Sequence, residues 1–311
     1  GGFLATGGMI TIGGIQAILQ YTQNISQPMG DAANMMGLTQ SMLAAAERIF
    51  ELLDAEEMEE ETGKPALPEV HGDVTFKHVS FGYTPEVQLM KDLNIDVKAG
   101  ETVAIVGPTG AGKTTVINLL MRFYDITGGA IKIDGHNIQD YTKESLRSKV
   151  GMVLQDTWLF KGTIRENIRY SRQDATDEEV VAAAKQAFAD DFIRKLPKGY
   201  DTVITEESDN ISQGQKQLLT IARAILASPS VFILDEATSN VDTRTEVEIQ
   251  KAMDHIMTNK TSFVIAHRLS TIRNANKILV MQKGDVIEQG SHDELIAQNG
   301  FYAGLYRAQF E

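Results

Sequence analysis

Hydrophobic and polar positions divide the chain into two unlike parts. From Met9 to Tyr21 the residues are mostly apolar, and the polar ones fall in a stripe. Gln16, Gln20, Gln23, Asn24 and Gln27 recur at i, i+4, i+7, i+8 and i+11, which places them on one helical face. The helical period continues through Met42, Ala46, Ile49, Phe50 and Leu53, then meets the acidic run DAEEMEEETG and two prolines, Pro65 and Pro68. That ending predicts a helix terminus and a linker over 56–69, with its carboxylates on a solvated surface. From Val70 onward the period changes. Short β-rich runs (VTFKHVSF, TVAIVG, AIKIDG, VFILDE, SFVIAH, KILVM and DVIEQG) alternate with helical stretches. This is the pattern of an α/β fold built on a largely parallel sheet. Helical patterns dominate over about 146–229, so an inserted helical subdomain is expected there within a sheet domain of 70–311.

Charge sharpens the division. No Asp, Glu, Lys, Arg or His occurs from Gly1 to Gly30, and Asp31 stands alone before Glu47. Residues 1–55 therefore read as the end of a membrane domain, with the polar stripe turned toward a bundle interior or a water-filled cavity. A soluble amphipathic helix is the competing reading. At 1.5 Å per residue, a helix of about forty residues reaches roughly 60 Å, enough to cross a bilayer and project beyond it. Two Gly–Gly pairs, at 7–8 and 13–14, argue against a simple lipid-facing span. The opening GGFLATGG has neither a methionine nor a charged n-region, which suits a piece of a longer protein better than a signal peptide.

The 311 residues suffice for one large or two medium domains, and the net charge of −13 argues against a general nucleic-acid binder. The absence of cysteine excludes disulfides, thiolate metal sites and a cysteine nucleophile. The six histidines, at 71, 78, 136, 255, 267 and 292, show no metal-ligand spacing.

Two stretches carry chemistry. GPTGAGKT, residues 107–114, follows the apolar run TVAIV and opens the helical run TVINLLMRF. It is a phosphate loop in its strand-loop-helix setting. The backbone N–H groups of Gly107, Pro108, Thr109, Gly110, Ala111 and Gly112, proline excepted, are available to curl around phosphate oxygens, and the helix N-terminus adds a field favourable to anions. Lys113 is placed to reach the β- and γ-phosphates and Thr114 to bind Mg²⁺, with Thr115 completing the loop. VFILDE, residues 231–236, ends a second buried strand in two carboxylates. Asp235 is the candidate Mg²⁺ partner of Thr114, and Glu236 the candidate general base for an attacking water.

The order phosphate loop, glutamine, S-x-G-Q, ILDE, aspartate, histidine resembles the nucleotide-binding domain of an ATP-binding cassette (ABC) transporter. The resemblance covers about 70–311. Residues before it resemble the last transmembrane helix and coupling extension of an exporter-type half-transporter. It implies a P-loop NTPase fold of ABC type, with a RecA-like core sheet, an antiparallel β part and an inserted helical subdomain. ATP and Mg²⁺ are the implied cofactors. On matching positions, Tyr83 would stack on the adenine, and Gln155 would touch Mg²⁺ and the attacking water. Asp242 would lie at the dimer interface, and His267 would contact the γ-phosphate. TWLFKGTI, after Gln155, would shape the groove for a coupling helix.

ISQGQ, residues 211–215, stands where this family commonly has LSGGQ. Ser212 and Gln215 also form an S-x-x-Q capping box. In the family this helix start faces the ATP held by the other subunit, so Ser212, Gly214 and Gln215 keep the pattern while Gln213 departs from it. The chain's own site retains Lys113, Asp235, Glu236 and His267. That asymmetry is what a heterodimer with one weakened site would show, and a homodimer tolerating Gln213 is the alternative. The implied setting is a multi-pass protein of the cell membrane with a cytoplasmic nucleotide-binding domain. Its partners would be a second half-transporter subunit, membrane lipid and an unidentified small molecule, with multidrug efflux a common role. A soluble ABC ATPase and a regulatory nucleotide-binding module are the competing functions.

Overall fold

The computed structural model describes residues 11–55, 57, 61–154, 157–205, 211–235, 241–266 and 268–310. The chain forms two compact units, Gly1–Glu60 and Glu61–Glu311.

The first unit is one long helix, α1 (Ile12–Leu53), started by Thr11, whose hydroxyl accepts from the Gly14 N–H at 3.1 Å. In proteins most helical stability comes from packing an apolar face rather than from propensity, yet α1 buries none of its 42 residues. Ile18, Leu19, Met35, Met36 and Leu43 all stand exposed. Among the described residues no helix is long and apolar enough to cross a membrane. The helix expected from the sequence is present, but glutamines and glycines dilute its apolar stretch.

The second unit opens with β1 (Val74–Phe81), β2 (Met90–Val97), β3 (Thr102–Val106), α2 (Lys113–Leu120), β4 (Gly128–Ile133) and β5 (His136–Asn137). Next come α3 (Lys143–Ser148), β6 (Val150–Val153), β7 (Gly162–Thr163), α4 (Ile164–Arg169), α5 (Asp177–Gln186), α6 (Asp190–Lys195), β8 (Val203–Ile204) and α7 (Gln213–Ala227). The remainder is β9 (Val231–Asp235), α8 (Thr243–Met257), β10 (Thr261–Ile265), α9 (Leu269–Asn274), β11 (Lys277–Gln282), β12 (Asp285–Gly290), α10 (His292–Gln298) and α11 (Phe301–Phe310).

Strands in the order β12-β11-β3-β10-β9-β6 make the larger sheet, parallel except at β12. Its central strands read as unbroken apolar runs because both faces are covered. Alternate residues serve different cores. Ala104, Val106, Phe232, Leu234, Ile278 and Val280 pack on the side of the helices from α4 to α8. Val103, Ile105, Val231, Ile233, Leu279 and Met281 pack on the side of α2 and the antiparallel sheet β2-β1-β4-β5. β6 belongs to the larger sheet, and the helices from α4 to α7 follow it in the chain.

The end of α2 is unusual. Arg122 takes a left-handed φ of 50° just beyond the last turn. Its N–H bonds the Leu119 carbonyl at 3.1 Å, and the Phe123 N–H bonds that of Asn118 at 2.9 Å. This is a Schellman ending with arginine where glycine is usual, at a local cost of about 1–2 kcal/mol. The buried guanidinium offsets that cost by bonding Ile138 O at 3.0 Å, Tyr141 O at 2.8 Å and Glu61 Oε1 at 2.8 Å. Glu61 thus departs from the solvated surface expected of its acidic run.

Within the inserted helices Asp190 accepts from Tyr200 Oη at 2.6 Å and from Arg194 Nε at 2.8 Å. Burial alone would raise the Asp190 pKa, but the bonds from Arg194 and Tyr200 outweigh it and hold the carboxyl below its ordinary range. Such a group stabilises the fold above its unfolded-chain pKa, ~3.9, and that contribution is lost as pH falls through the lower folded value. Asp190→Asn should therefore lower the melting temperature at neutral pH and flatten the acid limb below about pH 4, as read by thermal unfolding across pH.

Candidate functional site

β3 and β9 flank β10, with Ile265 level with both Ile105 and Asp235. This common register brings the phosphate loop after β3 and the carboxylate ending β9 to the same edge, the carboxyl ends of parallel strands where α/β sheets bind ligands. Gly107 starts the loop with φ 151°, and a Cβ there would lie 2.3 Å from the Met281 carbonyl of β11. No larger residue fits without moving that strand. Gly112, left-handed at φ 101°, precedes α2.

Lys113 Nζ donates to Gly107 O at 2.8 Å and Pro108 O at 3.1 Å, which arches the side chain back over the loop. Burial pushes its pKa down, while the negative charge of Asp235 pulls it back up. Lys113 and Asp235 line one cavity of 520 Å³ together with Thr109, Gly110, Ala111, Gly112, Thr114 and Thr115. Tyr83 completes the wall. Its hydroxyl meets Thr115 Oγ1 at 3.0 Å, and its ring stands edge-on to Phe81 and Tyr124, each at 5.0 Å. Half of Tyr83 remains exposed, so a ring face is available to a ligand.

The cavity lies within the range of about 300–1,000 Å³ typical of small-molecule sites. Its donors suit a polyphosphate: backbone N–H groups at a helix start and one ammonium. Among the described residues no group of three or more His, Cys, Asp or Glu could by itself hold a metal. Mg²⁺ needs no such group, because one or two protein oxygens suffice when phosphates and waters supply the rest, and Thr114 and Asp235, which both line the cavity, could supply them.

Ser212 to Gln215 do not line this cavity. Ser212 caps α7 in a full capping box, with Gln215 N–H to Ser212 Oγ at 3.3 Å and Ser212 N–H to Gln215 Oε1 at 3.0 Å. Gly214 has no room for a side chain, since a Cβ would fall 2.5 Å from Thr245 Cγ2 and 2.8 Å from Val241 Cγ1. Gln213 points elsewhere and donates from Nε2 to Thr157 Oγ1 at 2.9 Å. Asp242 caps α8, accepting from the Thr245 N–H at 3.0 Å. That backbone bond, with a second from the Thr245 side chain, holds its carboxyl below the usual range. Gln155, Glu236 and His267 lie outside the described residues.

The family described as ABC transporter matches residues 90–239. Residues 90–239 are an ABC transporter domain. An uncharacterized ABC transporter ATP-binding protein of Bacillus subtilis, YfiC, is 54% identical over 100% of this chain and 52% of its own length. A fatty acid ABC transporter ATP-binding/permease protein of Mycobacterium bovis is 52% identical over 99% of this chain and 49% of its own. The chain thus spans about half the length of the curated relatives it matches. The solved structure of a bacterial Atm1-family ABC exporter with ATP bound superposes with TM-score 0.77 at 41% identity, over 97% of this chain and 53% of that one. In this family the ABC domain binds ATP with Mg²⁺.

Sequence reasoning missed the partners that hold the ABC domain's candidate residues in place. Thr115 for Tyr83 sits inside the loop motif itself, whereas Thr157 for Gln213 carries no signal beyond lying two residues after Gln155.

Lys113→Ala should weaken MgATP binding about ten- to a hundredfold, as hydrogen bonds to charged groups are worth about 1.5–3 kcal/mol. Tyr83→Ala should weaken MgATP but leave inorganic triphosphate unaffected. Isothermal titration with both ligands separates the two. For Asp242, Asn retains the capping oxygen but not the charge and Ala retains neither, so Asp242→Ala should lower the melting temperature and Asp242→Asn should lower it less. An equal fall in ATPase in both variants, despite their different melting temperatures, would assign a role to the charge itself.

Proposed function

We propose that this chain is the energy-transducing end of an ABC exporter, hydrolysing ATP to drive passage of a small molecule through a membrane domain that includes α1. The observation that carries the reading is the convergence of the phosphate loop, Lys113 and Asp235 on one cavity. Lys113 and the loop N–H groups bind the triphosphate, and Tyr83 offers its ring to the adenine. Thr114, Asp235 and Gln155 would hold Mg²⁺, which would neutralise phosphate charge. Glu236 takes the proton from the attacking water, and His267 contacts the γ-phosphate as charge moves to the leaving oxygen. The uncovered apolar side chains of α1 favour a lipid or protein environment around it. Its stripe from Gln16 to Gln27 is the candidate lining of the translocation path. Kinship with a named fatty acid transporter favours an amphipathic, lipid-like or multidrug-type substrate.

The partner reading is a heterodimer. The capped start of α7 would serve ATP bound to the other subunit, so Gln213 alters the partner's site while this chain's own Lys113, Asp235, Glu236 and His267 remain. One observation favours the homodimer instead: the Gln213 side-chain amide is already engaged by Thr157 Oγ1.

ATPase assays on the full-length parent, alone and mixed with a candidate partner, test both. The heterodimer predicts low activity alone and a large rise on mixing, abolished by Glu236→Gln in this chain. Full activity alone selects the homodimer. No MgATP hydrolysis in either preparation would remove the transporter reading.

A further inference from the structure

The segment that leads into β1 is bonded step by step to the rest of the second unit. Pro65 O accepts from the Thr142 N–H at 3.1 Å, the Leu67 N–H donates to Ser145 Oγ at 2.9 Å, and Val70 O accepts from Ser230 Oγ at 2.7 Å. Leu67 and Val70 are buried. At the start of this strap Glu61, 16% exposed, joins two helix ends. One carboxylate oxygen accepts from Arg122 Nη2, and the other from the backbone N–H of Lys143 in the first turn of α3. Lys64 adds a further bond at 3.4 Å.

Arg122 closes the helix that Lys113 opens. Over that helix Val116, Leu119 and Leu120 are wholly buried, and its eight residues span about 12 Å between Lys113 and the Arg122 end. Arg147 holds the same end, donating to Met121 O at 3.2 Å and Arg122 O at 3.1 Å. An arginine kept left-handed where glycine is the default has to be fixed by its surroundings, and here its hydrogen-bond partners are two backbone carbonyls and Glu61. A largely buried ion pair therefore attaches the first residue of the second unit to the far end of the helix bearing the phosphate-loop lysine.

We propose that Glu61 is a positioning residue for the nucleotide site, relaying displacement of the preceding helix through Arg122 and α2 to Lys113, by a route separate from the Gln155 region. The inference rests on the transporter reading above. The charge is the working part. The Glu61→Gln change would keep size and one acceptor but lose the attraction to Arg122, whereas Glu61→Asp keeps the charge at shorter reach.

The test uses the full-length parent in phosphatidylethanolamine–phosphatidylglycerol vesicles, with a bimane fluorophore on a cysteine introduced at the exposed Met42 and MgATP as the probe. Wild type, Glu61→Gln and Glu61→Asp are compared for MgATP affinity, hydrolysis and fluorescence response. Glu61→Gln should keep MgATP affinity within about twofold while its fluorescence response falls about fivefold, the lower end of typical coupling between sites. Glu61→Asp should recover most of the response. A Glu61→Gln response equal to wild type overturns the proposal, as does a joint loss of affinity and response that Asp fails to rescue, the mark of a merely structural role. A wild type that neither hydrolyses MgATP nor responds to it removes the transporter reading, and this inference with it.

Discussion

The pairing of β10 with both β3 and β9 sets the distance between the phosphate loop and Asp235, and everything at the site is referred to that distance. A slip of one residue in either ladder would exchange the faces of a whole strand, sending Val103 and Ile105 into the core that Ala104 and Val106 now fill. Two cores of different shape therefore guard one register. The chemistry at the strand ends inherits its precision from packing some distance away.

Much of this was legible in the sequence, for a physical reason. Strands buried on both faces appear as contiguous apolar runs, and a phosphate loop is contiguous too, so neither requires knowledge of the tertiary fold. The strands that escaped are those whose pattern is mixed. β2, MKDLNIDV, turns Lys91, Asp92, Asn94 and Asp96 outward from an edge position, and β6, VGMV, is short and includes a glycine. The helix over 12–53 was legible from its period, but its degree of apolarity was not, because the glutamines that mark the period also dilute it.

Pairings between distant residues were invisible. Glu61 sits in a run of carboxylates and differs from its neighbours only in having met Arg122 and Lys143 in the fold. Tyr83 could be aligned with an adenine-stacking position, yet nothing in sequence announced the hydroxyl of Thr115 that steadies it. The capping box at Ser212 was visible because both its members lie within one helical turn.

Gly214 and Gln213 stand side by side with opposite freedoms. The first is hemmed in by Thr245 and Val241; the second is exposed and reaches the hydroxyl of Thr157. Residue 213 can therefore be exchanged without repacking either helix, whereas residue 214 cannot. An exchange confined to residue 213 would thus change the chemistry of this helix start and leave the packing of α7 against α8 as it is.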